Sequence, residues 1–327
     1  MLNYIVRRVA YGALILLGVN LLTFCLFFAV NTPDDMARLN IGGKRITQQQ
    51  IELWKAERGY DKPIWWDAQA QGTDRLTQTV LWERSISLFA FDFGRSDARQ
   101  AVNIGTEVKT RMAVSLQLAL PLFALQLIVT VGFAVLLAFF RNTRIDFWGV
   151  VLCVLMLSIS SLFYIIVGQF LFSRVLRLVP INGYAPGLDA ARFLVLPVLL
   201  SLLSRLGSEA RLYRAMLLEE IGKDYVRTAR AKGLSEQVVL LRHVLRNALI
   251  PIVTSAGGYL PYLFLGSLVF ESFFAIPGLG AFVIDAINGQ DFAIVRTMVF
   301  LGALLYIASN AAIDIAYTWI DPRVRLS

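Results

Sequence analysis

Long apolar runs separated by polar connections make up most of this chain. Runs with few or no charged residues cover 9–30, 112–140, 147–172, 193 to about 218, 249–270 and 293–320. An α-helix rises about 1.5 Å per residue, so about 20 consecutive apolar residues cross a hydrocarbon layer of about 30 Å. The pattern therefore predicts an all-α polytopic membrane protein with six transmembrane helices.

The fourth of these runs is the least apolar. Only 193–204 is free of charge, so a helix that crosses the membrane here has to continue through Arg205 and Glu209. Residues four positions apart lie on one side of a helix, and an ion pair lowers the cost of placing charge near the membrane edge. We expect Arg205 and Glu209 to pair.

The segment 31–111 is polar and mixed in charge, and one helix can be predicted within it. Thr47 and Gln50 have the spacing of a capping box, the apolar Ile51 and Trp54 follow, and Gly59 suits a C-terminal cap. A helix is therefore predicted between Thr47 and Gly59.

The apolar runs and this segment divide the chain into three parts. These are an N-terminal cytoplasmic head and first span at 1–30, an extracytoplasmic insert at 31–111, and a core of five spans at 112–327 that contains a basic loop at 225–251. Within the insert, Trp65 and Trp66 fit a membrane interface, where tryptophan is favoured, and a small folded core equally well.

The loop at 225–251 mixes basic and apolar residues. Its basic side chains are Arg227, Arg230, Lys232, Arg242, His243 and Arg246, while Val238, Val239, Leu241, Val244 and Leu245 are spaced as one helical face. Gly233 suits a helix end, because a residue without Cβ enters the left-handed conformation easily, and Ser235 suits the cap of the next helix. The loop is predicted to form a helical hairpin on the membrane surface.

Composition and charge agree with a membrane protein. Of the 327 residues 57% are hydrophobic and 17% charged, with a mean hydropathy of +0.63. The net charge of +8 lies beside apolar runs rather than in a separate basic domain, so no nucleic-acid partner is expected. With both termini inside, the short inner connections hold fourteen Lys and Arg and the short outer ones three, which predicts cytoplasmic termini and a cytoplasmic hairpin.

Catalytic chemistry is not evident in the sequence. The nearest approach to a phosphate-binding loop, Gly43-Lys44, is followed by Arg45 where Ser or Thr is needed. The single histidine, His243, has no cysteine or carboxylate cluster around it that would form a metal site. We expect a chain that is not an enzyme and binds no cofactor, so any ATP is bound by another chain.

Polar and small residues inside the apolar runs are the remaining candidates for function. Asn310, Asp314, Tyr317 and Asp321 form one stripe on the last predicted helix, and Gly257, Gly258, Gly266 and Ser267 lie in the fifth run. Such residues either line a translocation path or allow helices to pack closely and hydrogen-bond. Both interpretations are open, and packing is the simpler one.

Several of these motifs together resemble the permease subunits of binding-protein-dependent ABC importers, in the dipeptide, oligopeptide and nickel group. The cytoplasmic part of the resemblance comprises Asp224, Tyr225, Val226, Arg227, Thr228, Ala229, Arg230, Ala231, Lys232, Gly233 and Leu234, then Arg242, His243, Arg246, Asn247, Ala248, Leu249 and Pro251. Elsewhere it comprises Asp61-Lys62-Pro63, Asp92-Phe93-Gly94-Arg95-Ser96, Leu196-Pro197, Glu271, Pro277-Gly278-Leu279-Gly280, Asp314, Tyr317 and Asp321-Pro322-Arg323. The resemblance covers nearly the whole chain.

The resemblance implies an ABC importer permease fold with a cytoplasmic coupling helix, in the inner (plasma) membrane of a bacterium. Its implied partners are a second homologous permease, two ATPase subunits that bind ATP and Mg, an extracytoplasmic substrate-binding protein and membrane lipid. The implied ATPase coupling residues are Asp224, Tyr225, Arg227, Thr228, Ala229, Arg230, Ala231, Lys232, Gly233, Leu234, His243, Arg246, Asn247 and Pro251. Candidates for a translocation path or gate are Gly258, Gly266, Glu271, Pro277, Gly278 and Asp314.

The sequence departs from the broad importer pattern in two features, and it leaves the substrate open. Arg227 stands at a usually acidic position and Thr228 at an alanine position, and Pro251 lies further from Gly233 than in the broad pattern; both features are usual in the peptide group. Short peptides or peptide-like solutes are the expected cargo, with nickel complexes, opine-like compounds, glycosides or peptide antibiotics as alternatives. A stand-alone secondary transporter using Asp314 and the Arg205/Glu209 pair, and a membrane scaffold without transport, are alternatives of another class.

Overall fold

A computed structural model describes residues 2–42, 46–68 and 70–320 of the chain. Within these residues the regular elements are helices, accompanied by one isolated bridge between Arg95 and Asn103. The all-α class is therefore confirmed. The Gly43-Lys44 pair and the C-terminal 321–323 motif lie outside the described residues.

Four of the predicted spans are long helices. They are α1 (Leu2–Val30), α6 (Ile104–Phe139), α9 (Ala190–Ile221) and α16 (Phe292–Ile320). Together with Glu236–Gly257, the described residues hold five helices that are long and apolar enough to cross a membrane, or up to six if one bent pair counts as a span. A polytopic membrane protein with five to six spans follows.

The third predicted span is not a continuous helix. It consists of α7 (Arg144–Ser158) and α8 (Ser161–Gly168), which continues into a π-helical turn at Gln169–Val175. The two halves are bent by 89°. Ser160 is extended between them, and its Oγ accepts a hydrogen bond from the N–H of Leu162 at 3.3 Å. A serine that caps a new helix in this way marks the end of the preceding helix. A count of apolar residues does not reveal such a break.

No single helix covers the fifth predicted span, 249–270. By length and composition Glu236–Gly257 could cross a membrane, through α11 (Glu236–Val238), a π-helical turn (Val239–Val244) and α12 (Leu245–Gly257), but its first half is the second arm of the predicted hairpin and carries Arg242, His243 and Arg246. Three shorter helices follow, α13 (Leu260–Leu265), α14 (Leu268–Phe273) and α15 (Leu279–Asn288). Gly266 separates α13 from α14 with a φ of 76°, a left-handed conformation that glycine adopts without strain.

The chain divides into two compact units at boundaries other than those of the three predicted parts. The first unit holds the described residues up to 113 together with 282–308. The second holds 114–281 and the C-terminal part of α16. The insert thus belongs to the same unit as α1 and the first turns of α16.

In the first unit the insert is built of short helices. These are α2 (Pro33–Ile41), α3 (Gln48–Arg58), α4 (Asp74–Thr77) and α5 (Val80–Arg84), followed by a 3₁₀ turn at Ile86–Ala90. All of these α-helices but α4 have a side-chain N-cap. The predicted capping box of α3 is confirmed, since the N–H of Thr47 donates to Gln50 Oε1 at 3.0 Å, and Gly59 closes the helix at a φ of 68°. Ile51 and Trp54 are buried as expected.

The insert forms an apolar cluster together with α1. Phe24 of α1 joins a buried cluster with Met36, Ala37, Ile51, Trp54, Tyr60 and Val80. Trp65 contacts Phe24 edge to face, with 5.1 Å between ring centroids, yet Trp65 and Trp66 remain about half exposed. The two tryptophans therefore lie at the margin of the apolar cluster.

A buried polar network attaches the insert to the start of α16. Asp97 Oδ2 accepts from the Tyr60 hydroxyl and from the N–H of Ala293, both at 2.9 Å. Asp291 accepts from the Ser96 hydroxyl and, at 3.1 Å, from the N–H of Asp97. Burial raises the pKa of Asp97. Buried polar groups that are satisfied in this way fix one arrangement of the loop and the helix.

Candidate functional site

The hairpin predicted at 225–251 is present. Helix α10 (Asp224–Ala231) ends before Gly233, which has a φ of 80°, and α11 begins after Ser235. The N–H of Gly233 donates to the Arg230 carbonyl at 2.9 Å, and the next N–H, of Leu234, donates to the Ala229 carbonyl at 3.4 Å. These bonds satisfy carbonyls at the helix end, so the predicted glycine turn is confirmed.

An ion pair, and not a serine cap, joins the two arms of the hairpin. Ser235 is extended at the N-cap position, but its side chain makes no cap hydrogen bond. Arg230 instead donates from Nε to Glu236 Oε2 at 3.0 Å and from Nη2 to Glu236 Oε1 at 2.7 Å. This hydrogen bond to Glu236 raises the pKa of Arg230. The pair is partly exposed and contributes about 1 kcal/mol or less, so its main effect is to set the angle between the arms.

The hairpin is attached to the membrane helices through one shared core. Its buried residues are Val226, Ala229, Val239, Leu240 and Val244, which pack with Ala134 and Ala138 of α6, Tyr213, Leu217 and Ile221 of α9, and Ala248 and Ile252 of α12. A displacement of the hairpin therefore moves the ends of three long helices with it, because close-packed interiors transmit strain.

The apolar face predicted for the second arm is only partly right. Val239 and Val244 are buried, whereas Val238 and Leu241 are exposed and Leu240 takes an inward position. The reason is the π-helical turn at Val239–Val244, where five residues rather than four separate the bonded groups. The helical period assumed for the sequence does not hold through such a turn.

Opposite the shared core, the hairpin presents an exposed surface of mixed character. Asp224, Arg227, Thr228 and Ala231 lie on the outer side of α10, and Lys232 follows. Two large apolar side chains lie near them, Leu234 at 40% and Leu241 at 56% exposure. We call Leu234, Val238 and Leu241, with the exposed residues of α10, the outer hairpin surface.

The remaining coupling candidates hold the hairpin in place or lie beside it. The Tyr225 hydroxyl donates to Glu220 Oε2 at 2.6 Å, and burial followed by this bond raises the pKa of Tyr225 to about 12. Asn247 donates to the His243 carbonyl at 2.9 Å. His243 is partly buried in the π-helical turn. Arg246 and Asn247 are exposed on α12, and Pro251 lies inside that helix.

Three of the path candidates come together around a buried carboxylate. Glu271 is fully buried, and its oxygens accept from the Ser115 hydroxyl at 2.8 Å and from the N–H groups of Ser267, Gly280 and Ala281 at 3.1, 2.7 and 3.2 Å. A Cβ added at Gly266 or Gly278 would approach an oxygen of Glu271 to 2.2 or 2.3 Å. Both glycines are therefore required by the closeness of the carboxylate. We call this arrangement the Glu271 nest.

Sequence reasoning missed Ser115, which completes the nest. Its Oγ donates to Glu271 and accepts from the N–H of Leu279 at 2.8 Å, at the first residue of α15. A serine in a long apolar run was the available signal. The nest ties α6, α14 and the start of α15 together by hydrogen bonds to one acceptor.

The other path candidates lie apart from the nest residues. Pro277 precedes Gly278 and is exposed, and Gly258 is exposed at the end of α12. Asp314 is partly buried on α16 and has partners there. A Cβ at Gly257 would meet Ile313 at 2.8 Å, so close helix packing accounts for that glycine.

A cavity of about 250 Å³ opens within the second unit. Its walls include Ser115, Leu118, Leu122, Phe123, Gln126, Ser201, Arg205, Glu209, Tyr259, Leu263 and Glu271. The lining is mostly apolar, and its polar side chains come mainly from α6 and α9.

The expected pairing of Arg205 with Glu209 is replaced by other contacts. Glu209 Oε2 accepts from Gln126 Nε2 at 3.0 Å, and the guanidinium of Arg205 lies over the ring of Tyr259 at 4.8 Å. Arg205 still acts on Glu209 through its charge. Gln126, a polar residue in an apolar run, was not recognised from the sequence.

In the part of the chain that the structure describes, no group of three or more His, Cys, Asp or Glu residues is placed to hold a metal ion.

Comparison with known proteins agrees with a helical membrane protein. Residues 113–326 match the family described as binding-protein-dependent transport system inner membrane component, and residues 1–79 match the N-terminal family of such membrane components. The chain is 36% identical over 326 residues to a protein of Brucella abortus (strain 2308) described as a peptide transport system permease, covering 98% of each chain.

Two further relatives extend over the same length. The chain is 29% identical to the oligopeptide transport system permease protein of Bacillus subtilis (strain 168) and 30% identical to the glutathione transport system permease protein of Shigella flexneri serotype 5b (strain 8401), covering 99% of each chain in both cases. The chain thus belongs to the family of inner membrane components of binding-protein-dependent transport systems, as a multi-pass permease subunit and not an enzyme.

Proposed function

We propose that this chain is one permease of an ATP-driven importer that moves short peptides or peptide-like solutes across the inner membrane into the cytoplasm. The similar permeases from three genera are described as transporting peptides, oligopeptides or glutathione, which supports this cargo. The second half of the pathway is a homologous permease, and an extracytoplasmic binding protein delivers the solute. Two separate ATPase subunits bind ATP and Mg.

The observation that carries this proposal is the hairpin with its two opposite faces. The outer hairpin surface offers exposed leucines beside basic and hydroxyl side chains, a combination that fits an apolar groove with acidic or carbonyl groups at its rim. The inner face is part of the core shared with α6, α9 and α12. A partner that moves the hairpin therefore moves the helices that line the cavity.

In this mechanism the ATPase pair closes on ATP and carries the hairpin with it. The shared core passes the motion to α6 and α9, both of which contribute walls to the cavity. Rigid-body rocking of this kind exposes a central site to one side of the membrane and then to the other. The Glu271 nest holds α6 and α14 as one body during the motion.

The membrane orientation in this proposal places both termini and the hairpin in the cytoplasm. The excess of Lys and Arg in the short connections on that side supports it. The insert, with its capped helices and buried polar network, then lies outside, where the binding protein delivers the solute.

Reconstitution tests the proposal. The chain, tagged after Ser327, is purified in mild detergent with the proteins that remain bound, and is then placed in vesicles with its binding protein and a labelled tripeptide. We expect a second permease and ATPase subunits to co-purify. We also expect uptake to require ATP on the side of the vesicle membrane where the ATPase subunits lie. Uptake by the chain alone, driven by a proton gradient, would contradict the proposal in favour of a secondary transporter.

A further inference from the structure

The cavity of the second unit contains two buried acceptor atoms without a hydrogen-bond partner, one of them on the Glu209 carboxylate that the Tyr259 hydroxyl also reaches. Glu209 is 5% and Gln126 is 7% exposed, and both line the cavity. Gln126 Nε2 donates to Glu209 Oε2 and to the Thr130 hydroxyl, both at 3.0 Å. Glu209 Oε1 and Gln126 Oε1 are buried without a hydrogen-bond partner.

An unpartnered carboxylate oxygen is costly in such a place. A buried acceptor that gave up its water without gaining a donor costs about 1 to 3 kcal/mol, and more when it is charged. Gln126, which is itself held by Thr130, positions the Glu209 carboxylate, and one oxygen of Glu209 and the amide oxygen of Gln126 remain without a donor. The site is therefore complete only when a donor arrives from within the cavity.

The chemistry of the free atoms selects the donor. Two oxygens, one of them on a carboxylate, match a group that carries a positive charge and more than one N–H, which an ammonium provides with three. The surrounding Leu118, Leu122 and Phe123 offer apolar walls with no hydrogen-bonding demand of their own. Such walls accept a variable side chain next to a fixed ammonium.

We propose that Glu209 and Gln126 form an ammonium-binding site for the N-terminal amine of a peptide in transit. This inference rests on the proposed function. Arg205, which acts on Glu209 through its charge, offsets part of the attraction and keeps the site weak. Weak binding is what a transport site needs, because the solute has to leave it on the other side.

The test uses the complete importer in vesicles and two probes, trialanine and N-acetyl-trialanine. The ratio of their uptake rates is measured for the parent and for Glu209→Gln, so that any preference of the shared binding protein cancels between the two. We expect Glu209→Gln to lower trialanine uptake, and hence the ratio, by about tenfold, the worth of one hydrogen bond to a charged group. Glu219→Gln, at an exposed carboxylate on the same helix, leaves the ratio unchanged.

A second measurement removes the binding protein from the experiment. The purified permease and ATPase complex is heated with millimolar trialanine or N-acetyl-trialanine, and the parent is expected to be stabilised more by the free amine. That difference disappears in Glu209→Gln and in Gln126→Met, which keeps the length of the side chain but lacks both the amide oxygen and the Nε2 donor to Glu209. Equal stabilisation of parent and variants by the free amine would overturn the site, as would an unchanged uptake ratio.

The two proposals fail in distinguishable ways. If the parent imports trialanine, and the ratio of trialanine to N-acetyl-trialanine uptake is the same in Glu209→Gln, the ammonium site is wrong and the importer proposal stands. If the complete parent complex imports no peptide, the importer proposal is wrong for peptides and the site falls with it.

Discussion

The Glu271 nest allows a quantitative prediction for Glu271→Gln. The amide nitrogen fits best at the Oε1 position, where the Ser115 hydroxyl can turn to accept from it, but the N–H of Ser267 then faces a donor. An unsatisfied buried N–H costs about 1 to 3 kcal/mol, and the other bonds lose their charge assistance. The neutral amide also avoids the cost of burying a charge, which offsets part of these losses. The net loss of stability is about 2 to 4 kcal/mol.

Unfolding is conveniently followed through a cysteine of the same unit. Cys153 is buried and Cys25 is exposed, so a thiol-reactive dye in a Cys25→Ala background reports the exposure of Cys153 on heating. We expect Glu271→Gln to lower the midpoint by roughly 4 °C or more. Asp285→Asn, at an exposed carboxylate of α15, serves as the control.

A double-mutant cycle tests whether the nest acts as a unit. Ser115→Ala alone removes one donor to Glu271 and leaves the N–H of Leu279 unsatisfied, at a cost of about 1 to 3 kcal/mol. Combined with Glu271→Gln, it adds less than its separate effect, because the partners are shared. A midpoint for Glu271→Gln within about 1 °C of its parent would show that the four hydrogen bonds do not stabilise this region, and would refute the reasoning.

Three further predictions concern other parts of the chain. Leu241→Glu, at an exposed residue, leaves folding intact but lowers the recovery of ATPase subunits in co-purification by about tenfold, whereas Leu39→Glu, at an exposed residue of α2, does not. Equal recovery with both variants would contradict the proposal that the outer hairpin surface binds the ATPase. Gly233→Ala, at a φ of 80°, costs about 1 to 2 kcal/mol by thermal unfolding, whereas Gly222→Ala, at −74°, costs less. The hydrogen bond from Thr32 lowers the pKa of Asp35 below 3.8, so its contribution to α2 is present above that pH and lost as pH falls through the lower folded value; in Asp35→Asn, amide exchange in the first turn loses this dependence.

The parts of the fold that follow local rules were predictable. The capping box at Thr47 and the glycine ends at Gly59 and Gly233 depend on residues within one or two turns, and each is present. Helix α2 was missed although Thr32, Pro33 and Asp35 carry the same kind of signal. There the signal was present and was not used.

The parts that depend on distant contacts were not predictable. The bend at Ser160 and the π-helical turn at Val239–Val244 interrupt runs whose apolar content is uniform, so counting residues gives no sign of them. The Glu271 nest joins residues far apart in the chain, since 156 positions separate Ser115 from Glu271 and 164 separate it from Leu279. Gln126 and Glu209 likewise meet only through the packing of α6 on α9. The resemblance gave Glu271 as a candidate residue of the path or gate, which stays a prediction, and it gave none of the partners of Glu271.

The π-helical turn at Val239–Val244 has a consequence for the length of the chain between the hairpin and α12. A π turn accommodates one residue more than an α turn over the same rise. Because the turn absorbs that extra residue, the same residues wound as a regular α-helix would turn the hairpin by about 100° around the axis of α12. The outer hairpin surface would then point in another direction although every side chain on it was unchanged. In this segment the winding of the backbone, more than the identity of the side chains, sets the direction of the hairpin.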